Sequence, residues 1–371
     1  MRIEPFGVEQ WMNKWETRCE INLAETCVAS LTLAELMQMS GRTQVMPSEL
    51  SALKMTYGDI TGSPRLRAAV ASLYARQTPD TVMITHGTIG ANHLIYQTLV
   101  SAGDVVVSIT PTYQQHTAIP ESIGAEVRCL PLRAEDGYLP DLDRLAELAQ
   151  GATLISLTNP NNPTGAVIGL EGLTQIAEIA RANGAWVLCD EVYRGTEQDS
   201  DAAGPSIADL YEKGISTGST SKAFSLAGLR LGWIVGPRDL MQAVEIHRDY
   251  TTISVGVIDD YFATMALEHA EIILDRSRAI TRTNLTILSD WVATTPGVDF
   301  VRPAGGTTTL LSFDLDMPSY DLCEALIRDT GVMFTPGSVM GMEGTVRIGF
   351  GNATENLTSG LPRVADWLAS R

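Results

Sequence analysis

The chain has 371 residues, of which 44% are hydrophobic and 19% charged, enough apolar material for a substantial core and too little charge for wholesale disorder. Its 44 acidic against 26 basic residues leave a formal charge of −18, which disfavours nucleic acid and anionic membranes, since both need basic patches. Cys19, Cys27, Cys129, Cys189 and Cys323 stand apart with no CxxC spacing, so neither a disulfide framework nor a metal site is expected.

The N-terminus, MRIEPFGVEQWMNKWE, carries acidic residues where a secretory signal needs an apolar core, and no run approaches the ~18 apolar residues of a membrane span. A cytoplasmic protein is expected. Residues 1–45 read as an arm with a first helix, in which Trp11, Met12 and Trp15 recur at helical spacing. The short run INLAETC, residues 21–27, follows, with a helix start near Ser30. From about 46 to 270, β-rich runs alternate with helical ones: strands are expected at 81–85, 105–109, 126–131, 153–157, 186–189, 214–218 and 231–235, with helices such as 91–99, 141–149 and 170–183. This alternation predicts an α/β fold, a mostly parallel seven-stranded sheet sandwiched by helices. Ligands of such sheets bind beyond the carboxyl ends of the strands. Residues 271–371 change to a long helix at 271–295, short strands near 298–301, 307–313, 332–334 and 345–350, and a helix at 320–330. They predict a smaller α+β domain to which the arm contributes.

Polar motifs stand at the predicted strand ends. Gly87, Thr88 and Ile89 lead from the first strand into a helix, whose N–H groups can receive an anion or water. Tyr113, after the second strand, can stack on a planar ring or simply pack. In NPNNPTG, residues 159–165, two X-Pro steps and a glycine fix a tight loop that would aim Asn162 in one direction. Asp190, ending the apolar run WVLCDEVY, needs a partner such as a protonated ring nitrogen, unless it caps the next helix; Tyr193 follows three residues on. The stretch STGSTSKAFSLAGLRLGW, residues 216–233, sets Lys222 among small hydroxyl residues. Desolvation and neighbouring cations would depress the lysine's pKa and make it a nucleophile toward carbonyls. Ser219, Ser221 and Arg230 suit a phosphate. Together these are the groups an amine needs to condense with a phosphorylated aldehyde. Arg347, inside the apolar strand VRIGF, calls for an anion, either a substrate carboxylate or a structural ion pair.

In this order the motifs resemble the fold-type-I enzymes that use pyridoxal 5′-phosphate (PLP), specifically the class I/II aminotransferases, from about Tyr57 to Phe350. The resemblance implies that Lys222 holds the cofactor as a Schiff base and moves the substrate α-proton, with Asp190 on the pyridine nitrogen. It implies Asn162 and Tyr193 on the ring oxygen, Tyr113 on the ring face, and Thr88, Ile89, Ser219, Ser221 and Arg230 around the phosphate. Arg347 would bind the carboxylate of an amino-acid substrate, and Tyr57 would reach the phosphate from a second subunit of a homodimer with shared sites. The sequence departs from the family at INLAETC, where a glycine-containing stretch is usual. Glu25, with Glu9 and Glu16, would there place negative charge near a substrate side chain and favour a cation such as a guanidinium; a solvated loop residue or a dimer contact is the other reading of Glu25. The runs GSTSKAFSLAGLRLGW and HRDYTTIS are also similar to the capreomycidine synthase branch, which eliminates a hydroxyl from an arginine derivative and closes a ring. Transamination is the expected reaction, with elimination or cyclisation of a hydroxylated arginine-like substrate as the alternative. A transcription regulator built on this fold would need a winged-helix domain, for which the chain offers no segment. A nicotinamide-binding protein would need GxGxxG after the first strand.

Overall fold

A computed structural model describes residues 2–44 and 46–371; the expected domain limit at residue 45 falls outside them. The first strand is the short β1, Ile21–Asn22. Seven further runs follow: β2 (Val82–Thr85), β3 (Val105–Thr110), β4 (Glu126–Pro131), β5 (Leu154–Thr158), β6 (Trp186–Asp190), β7 (Gly214–Ser219) and β8 (Gly232–Val235). These seven form one sheet in the order β2-β8-β7-β6-β5-β3-β4, and each lies within about a residue of its expected limits. From β7 to β4 all neighbours pair in parallel. β8 alone is reversed, antiparallel to both β7 and β2.

β2, β3, β5, β6 and β8 are largely apolar because both faces are covered, whereas the edge strand β4 is largely exposed or half-buried and the buried β7 is built mostly of small and hydroxyl residues. Successive residues of one strand enter opposite cores, as the twofold side-chain period requires. Val107, Ile155 and Val187 pack with Leu173 and Ile176 of the helix Leu170–Asn183. Val106, Leu154 and Leu188 pack on the other face with Leu94 and Ile95 of the helix Gly87–Leu99. The carboxyl ends of β2, β3, β5, β6 and β7 meet at one edge, and the reversed β8 brings its amino end, with Arg230 just before it, to that same edge.

The remaining strands are β9 (Val298–Phe300), β10 (Thr308–Phe313), β11 (Val332–Met333), β12 (Thr335–Pro336) and β13 (Thr345–Gly349). Four make an antiparallel sheet, β12-β13-β10-β9, while β11 pairs in parallel with β1. The helix Ala270–Thr294 runs between two cores: Ile273 and Leu274 pack near the large sheet, and Leu285, Leu288 and Val292 pack with Phe334 and Ile348. The N-terminal helix, Gly7–Trp15, docks on the second core through Trp11, whose Nε1 donates to the Phe334 carbonyl at 2.8 Å. The helix start expected near Ser30 is Thr32, which caps Leu33–Met39 reciprocally with Glu35. Among the described residues no helix is long and apolar enough to cross a membrane.

Candidate active site

At the carboxyl edge of the large sheet a cavity of about 480 Å³ opens. Its floor is Asp190, the last residue of β6, in register with Thr158 of β5 and Thr217 of β7. Asp190 is buried, and its Oδ2 accepts from Asn92 Nδ2 at 2.9 Å while Oδ1 accepts from the Val192 amide at 3.1 Å. Asn92 is itself fixed, accepting from Thr217 Oγ1 at 2.7 Å. Behind it, His116 Nε2 lies 3.6 Å from Asp190 Oδ2, too far for a hydrogen bond, and its Nδ1 meets Ser156 Oγ at 2.9 Å and Tyr96 OH at 3.0 Å. Among the described residues no lysine or arginine is paired with Asp190. The carboxylate thus makes a local turn bond and keeps acceptor capacity toward the cavity.

One wall is built for an anion. β2 runs into the helix Gly87–Leu99, whose first turn leaves unsatisfied N–H groups. Thr88 Oγ1 is buried there with no partner among the described residues. Arg230 ends the turn Ala227–Leu229 in the left-handed region, φ +49°, and a Cβ on Gly87 would sit 3.2 Å from its Nη2. Gly232 admits no side chain, since its Cβ would lie 2.4 Å from the Gly87 carbonyl carbon; the turn can therefore press directly against β8. Ser219, whose Oγ accepts from the Ser221 amide at 3.2 Å, completes the wall with Ser221.

Opposite stands Lys222. Its Nζ donates to Thr26 Oγ1 at 2.6 Å and approaches Cys27 Sγ at 3.4 Å. Residues 21–27 reach it because the small sheet holds them: the Leu23 amide donates to the Met333 carbonyl at 2.9 Å, the Gly349 amide to the Leu23 carbonyl at 2.7 Å, and Thr307 Oγ1 to the Thr26 carbonyl at 2.6 Å. Burial pulls the Lys222 ammonium down in pKa, but the Tyr193 phenol, the Cys27 thiol and the Glu25 carboxylate outweigh it, and the net displacement is upward. The depressed value expected from the sequence is not found, because the fold gathers Tyr193, Cys27 and Glu25 about the lysine where only cations were anticipated. Burial pushes the Cys27 thiol up to about 11 and the Tyr193 phenol upward as well, so at neutral pH Glu25 is the charged member of the three. Burial also works to raise Glu25, but Lys222 and the Cys27 and Thr26 amides hold its carboxyl below the usual range.

Arg347 of β13 is almost fully buried, and burial pulls its guanidinium below the ordinary arginine value. Nη1 donates to Asn162 Oδ1, and Nη2 to the Ala24 carbonyl and Thr335 Oγ1, all at 3.3 Å; among the described residues Nε has no partner. Among the described residues no carboxylate lies within ion-pair distance of it, so the structural salt bridge considered from the sequence is not formed. With its oxygen on Arg347, Asn162 has no partner for its amide NH₂ among the described residues, and it lines the cavity together with the buried Tyr193. Tyr113 donates from its OH to Glu9 Oε1 at 2.8 Å and packs its ring on Phe6 with centroids 4.6 Å apart.

Of the residues singled out in the sequence, Glu25, Thr88, Ile89, Tyr113, Asn162, Asp190, Tyr193, Ser219, Ser221, Lys222, Arg230 and Arg347 all line this cavity. Tyr57 does not; it is 76% exposed on a loop of the same chain. Asn92, Thr26 and Cys27 escaped the sequence reading. Asn92 was detectable, because it lies four residues after Thr88 and so faces the same way on the helix. Nothing local marks Thr26 and Cys27, whose contact with Lys222 spans almost the whole large sheet. Phosphate donors, an acceptor for a ring nitrogen, donors for a ring oxygen and a lysine amine meet in one cavity, and the orphaned Thr88 hydroxyl has the role a phosphate would fill: the residues fit PLP.

Residues 43–364 match the model of the family described as aminotransferase class I and II. The chain is 32% identical over 365 residues to a capreomycidine synthase from Streptomyces vinaceus, covering 98% of this chain and 93% of that protein. A solved PLP-dependent aminotransferase from Streptococcus suis superposes with a TM-score of 0.96 at 40% identity, covering 100% of this chain and 99% of that one. The PLP-dependent cyclase OrfR superposes with a TM-score of 0.92 at 28% identity, covering 100% and 98%. Similarity along the whole length, together with a cavity whose side chains fit the cofactor, assigns the chain to the class I and II aminotransferase family of PLP-dependent enzymes.

Proposed function

We propose that this enzyme binds an α-amino acid with its carboxylate on Arg347 and exchanges the amino group with a 2-oxo acid. The observation that carries this reading is Arg347: a buried guanidinium with an unpartnered Nε and no carboxylate of its own, facing the cavity that Lys222 also enters. Burying an unpaired cation is costly, and a substrate carboxylate removes the cost. When bound, PLP supplies an electron sink for the electrons released at the substrate Cα. Lys222 Nζ takes the proton from that Cα, held in place by Thr26 Oγ1. Asp190, oriented by Asn92, would hold a proton on the ring nitrogen. The Asn162 NH₂ and the Tyr193 OH would donate to the ring oxygen, Tyr113 would pack against the ring, and Thr88, Ile89, Ser219, Ser221 and Arg230 would hold the phosphate.

The reading includes a cytoplasmic homodimer in which Tyr57 of a second copy completes the phosphate site. The exposure of Tyr57, together with that of Met55 close by in sequence, supports it. Sedimentation of the active enzyme tests it, and a monomer with full turnover would refute it. It also divides the chain into an arm at 1–45, a large domain at 46–270 and a small domain at 271–371.

Similarity to capreomycidine synthase over 98% of the chain favours a second reading, elimination or cyclisation of a hydroxylated arginine-like substrate after the same proton removal by Lys222. Mass spectrometry of products from a panel of amino acids, with and without a 2-oxo acid, separates the two. A keto product that needs the oxo acid supports transamination, and a product lighter by one water without it supports elimination.

A further inference from the structure

We infer that the substrate is a basic α-amino acid, its terminal cation read by Glu9 and Glu16 on the N-terminal helix. This rests on the reading of Arg347 as the α-carboxylate site. The helix Gly7–Trp15 ends at its cap residue Glu16, and Val8, Glu9, Met12 and Glu16 all line the cavity. Their spacing follows one helical stripe. The orientation is fixed from behind, where Trp11 is buried and bonded to the Phe334 carbonyl and Lys14 pairs with Glu324 at 2.6 Å. The acidic stripe is therefore held toward the cavity by packing on the opposite face.

The charges of the cavity leave this stripe without a partner. Its lining cations are Lys222, Arg230 and Arg347, and its carboxylates are Glu9, Glu16, Glu25 and Asp190. Lys222, Arg230 and Arg347 are committed to the cofactor's aldehyde carbon, its phosphate and the substrate carboxylate, while Asp190 is committed to the ring nitrogen. Glu25 is engaged as well: its Oε1 accepts from the Thr26 and Cys27 amides at 2.7 and 2.8 Å, which ties it to the loop that holds Lys222. Glu9 gives only Oε1 to Tyr113, and among the described residues Glu16 is in no ion pair. Glu16 is exposed where it lines the cavity; what burial it has, then Glu25 and Glu9, push its carboxyl up in pKa, and Lys222 partly opposes them. The phosphate and substrate carboxylate add more negative charge to the same space. A guanidinium or ammonium at the end of the substrate side chain relieves it, whereas a side-chain carboxylate is repelled. The sequence placed this task on Glu25 together with Glu9 and Glu16; the fold engages Glu25 with the Thr26 and Cys27 amides and leaves the task to the two glutamates of the helix.

The test is an equilibrium titration of the PLP-loaded enzyme, following its visible absorption band, with L-arginine, L-lysine, their neutral counterpart L-citrulline, L-methionine and L-glutamate. Arginine or lysine is expected to shift the band at concentrations at least ~10-fold below those for citrulline or methionine. Glu16→Gln and Glu9→Gln should each raise the apparent Kd for the basic ligand about tenfold and leave that for citrulline within about twofold. Glu16→Lys should improve binding of L-glutamate. Citrulline or methionine binding the unsubstituted enzyme as tightly as arginine and lysine would overturn the inference, as would unchanged binding of the basic ligand in both Gln variants. A band that no α-amino acid shifts would overturn the amino-acid reading itself, and the inference with it.

Discussion

Asp190 and Arg347 have opposite relations to burial. Asp190 has its geometry set by neutral donors, Asn92 Nδ2 and the Val192 amide, which fix direction without neutralising charge. Asp190→Asn should therefore leave the fold intact while removing the anion proposed to keep the ring nitrogen protonated. We expect kcat to fall by about 10²-fold or more with little change in Tm; steady-state kinetics beside a thermal melt would check this, and full turnover would refute the electron-sink role. Arg347 by contrast is held by neutral acceptors only, the condition of a cation awaiting an anion. Both residues stood out in the sequence because each interrupts or ends an apolar run, where a charged group is costly without a partner. The raised pKa of Lys222 was not legible. It depends on Tyr193, Cys27 and Glu25, the last two of which are almost 200 positions away in the chain and only the fold brings near.

At the scale of elements, the seven strands of the large sheet could be read with limits good to about a residue, since runs such as Val105–Thr110 and Leu154–Thr158 are short, apolar and β-rich. The parallel pairing of Ile21–Asn22 with Val332–Met333 was not readable, because two residues carry no period and their partner is over 300 residues distant. That small pairing nonetheless seats the loop of Glu25, Thr26 and Cys27. The loop's closest support is Gly349: a Cβ there would lie 1.8 Å from the Glu25 carbonyl oxygen, a clash with backbone that no rotamer change relieves. Gly349→Ala should cost about 2–4 kcal/mol and displace the loop from β13, loosening the Thr26 contact to Lys222. A lowered Tm together with a slower reaction is the expected outcome; an unchanged Tm would show that the loop is not seated on β13 as described.

The molecule as a whole assembles its site from distant parts of the chain. The large sheet supplies residues 88 to 230 along one carboxyl edge, and the reversal of β8 is what returns Arg230 to it. The small sheet and the N-terminal segment supply Arg347, Thr26 and the acidic stripe of Glu9 and Glu16. A formal charge of −18 says nothing of such a cavity, where three cations face four carboxylates. Everything in this arrangement turns on Lys222 being the amine that carries PLP. The chain has four lysines, Lys14, Lys54, Lys213 and Lys222, so the assignment can be read directly. The PLP-loaded enzyme is reduced with borohydride, digested and mapped by mass spectrometry. The reduced cofactor is expected on the peptide containing Lys222 and on no other; an adduct on Lys14, Lys54 or Lys213 with Lys222 unmodified would contradict the assignment of the site.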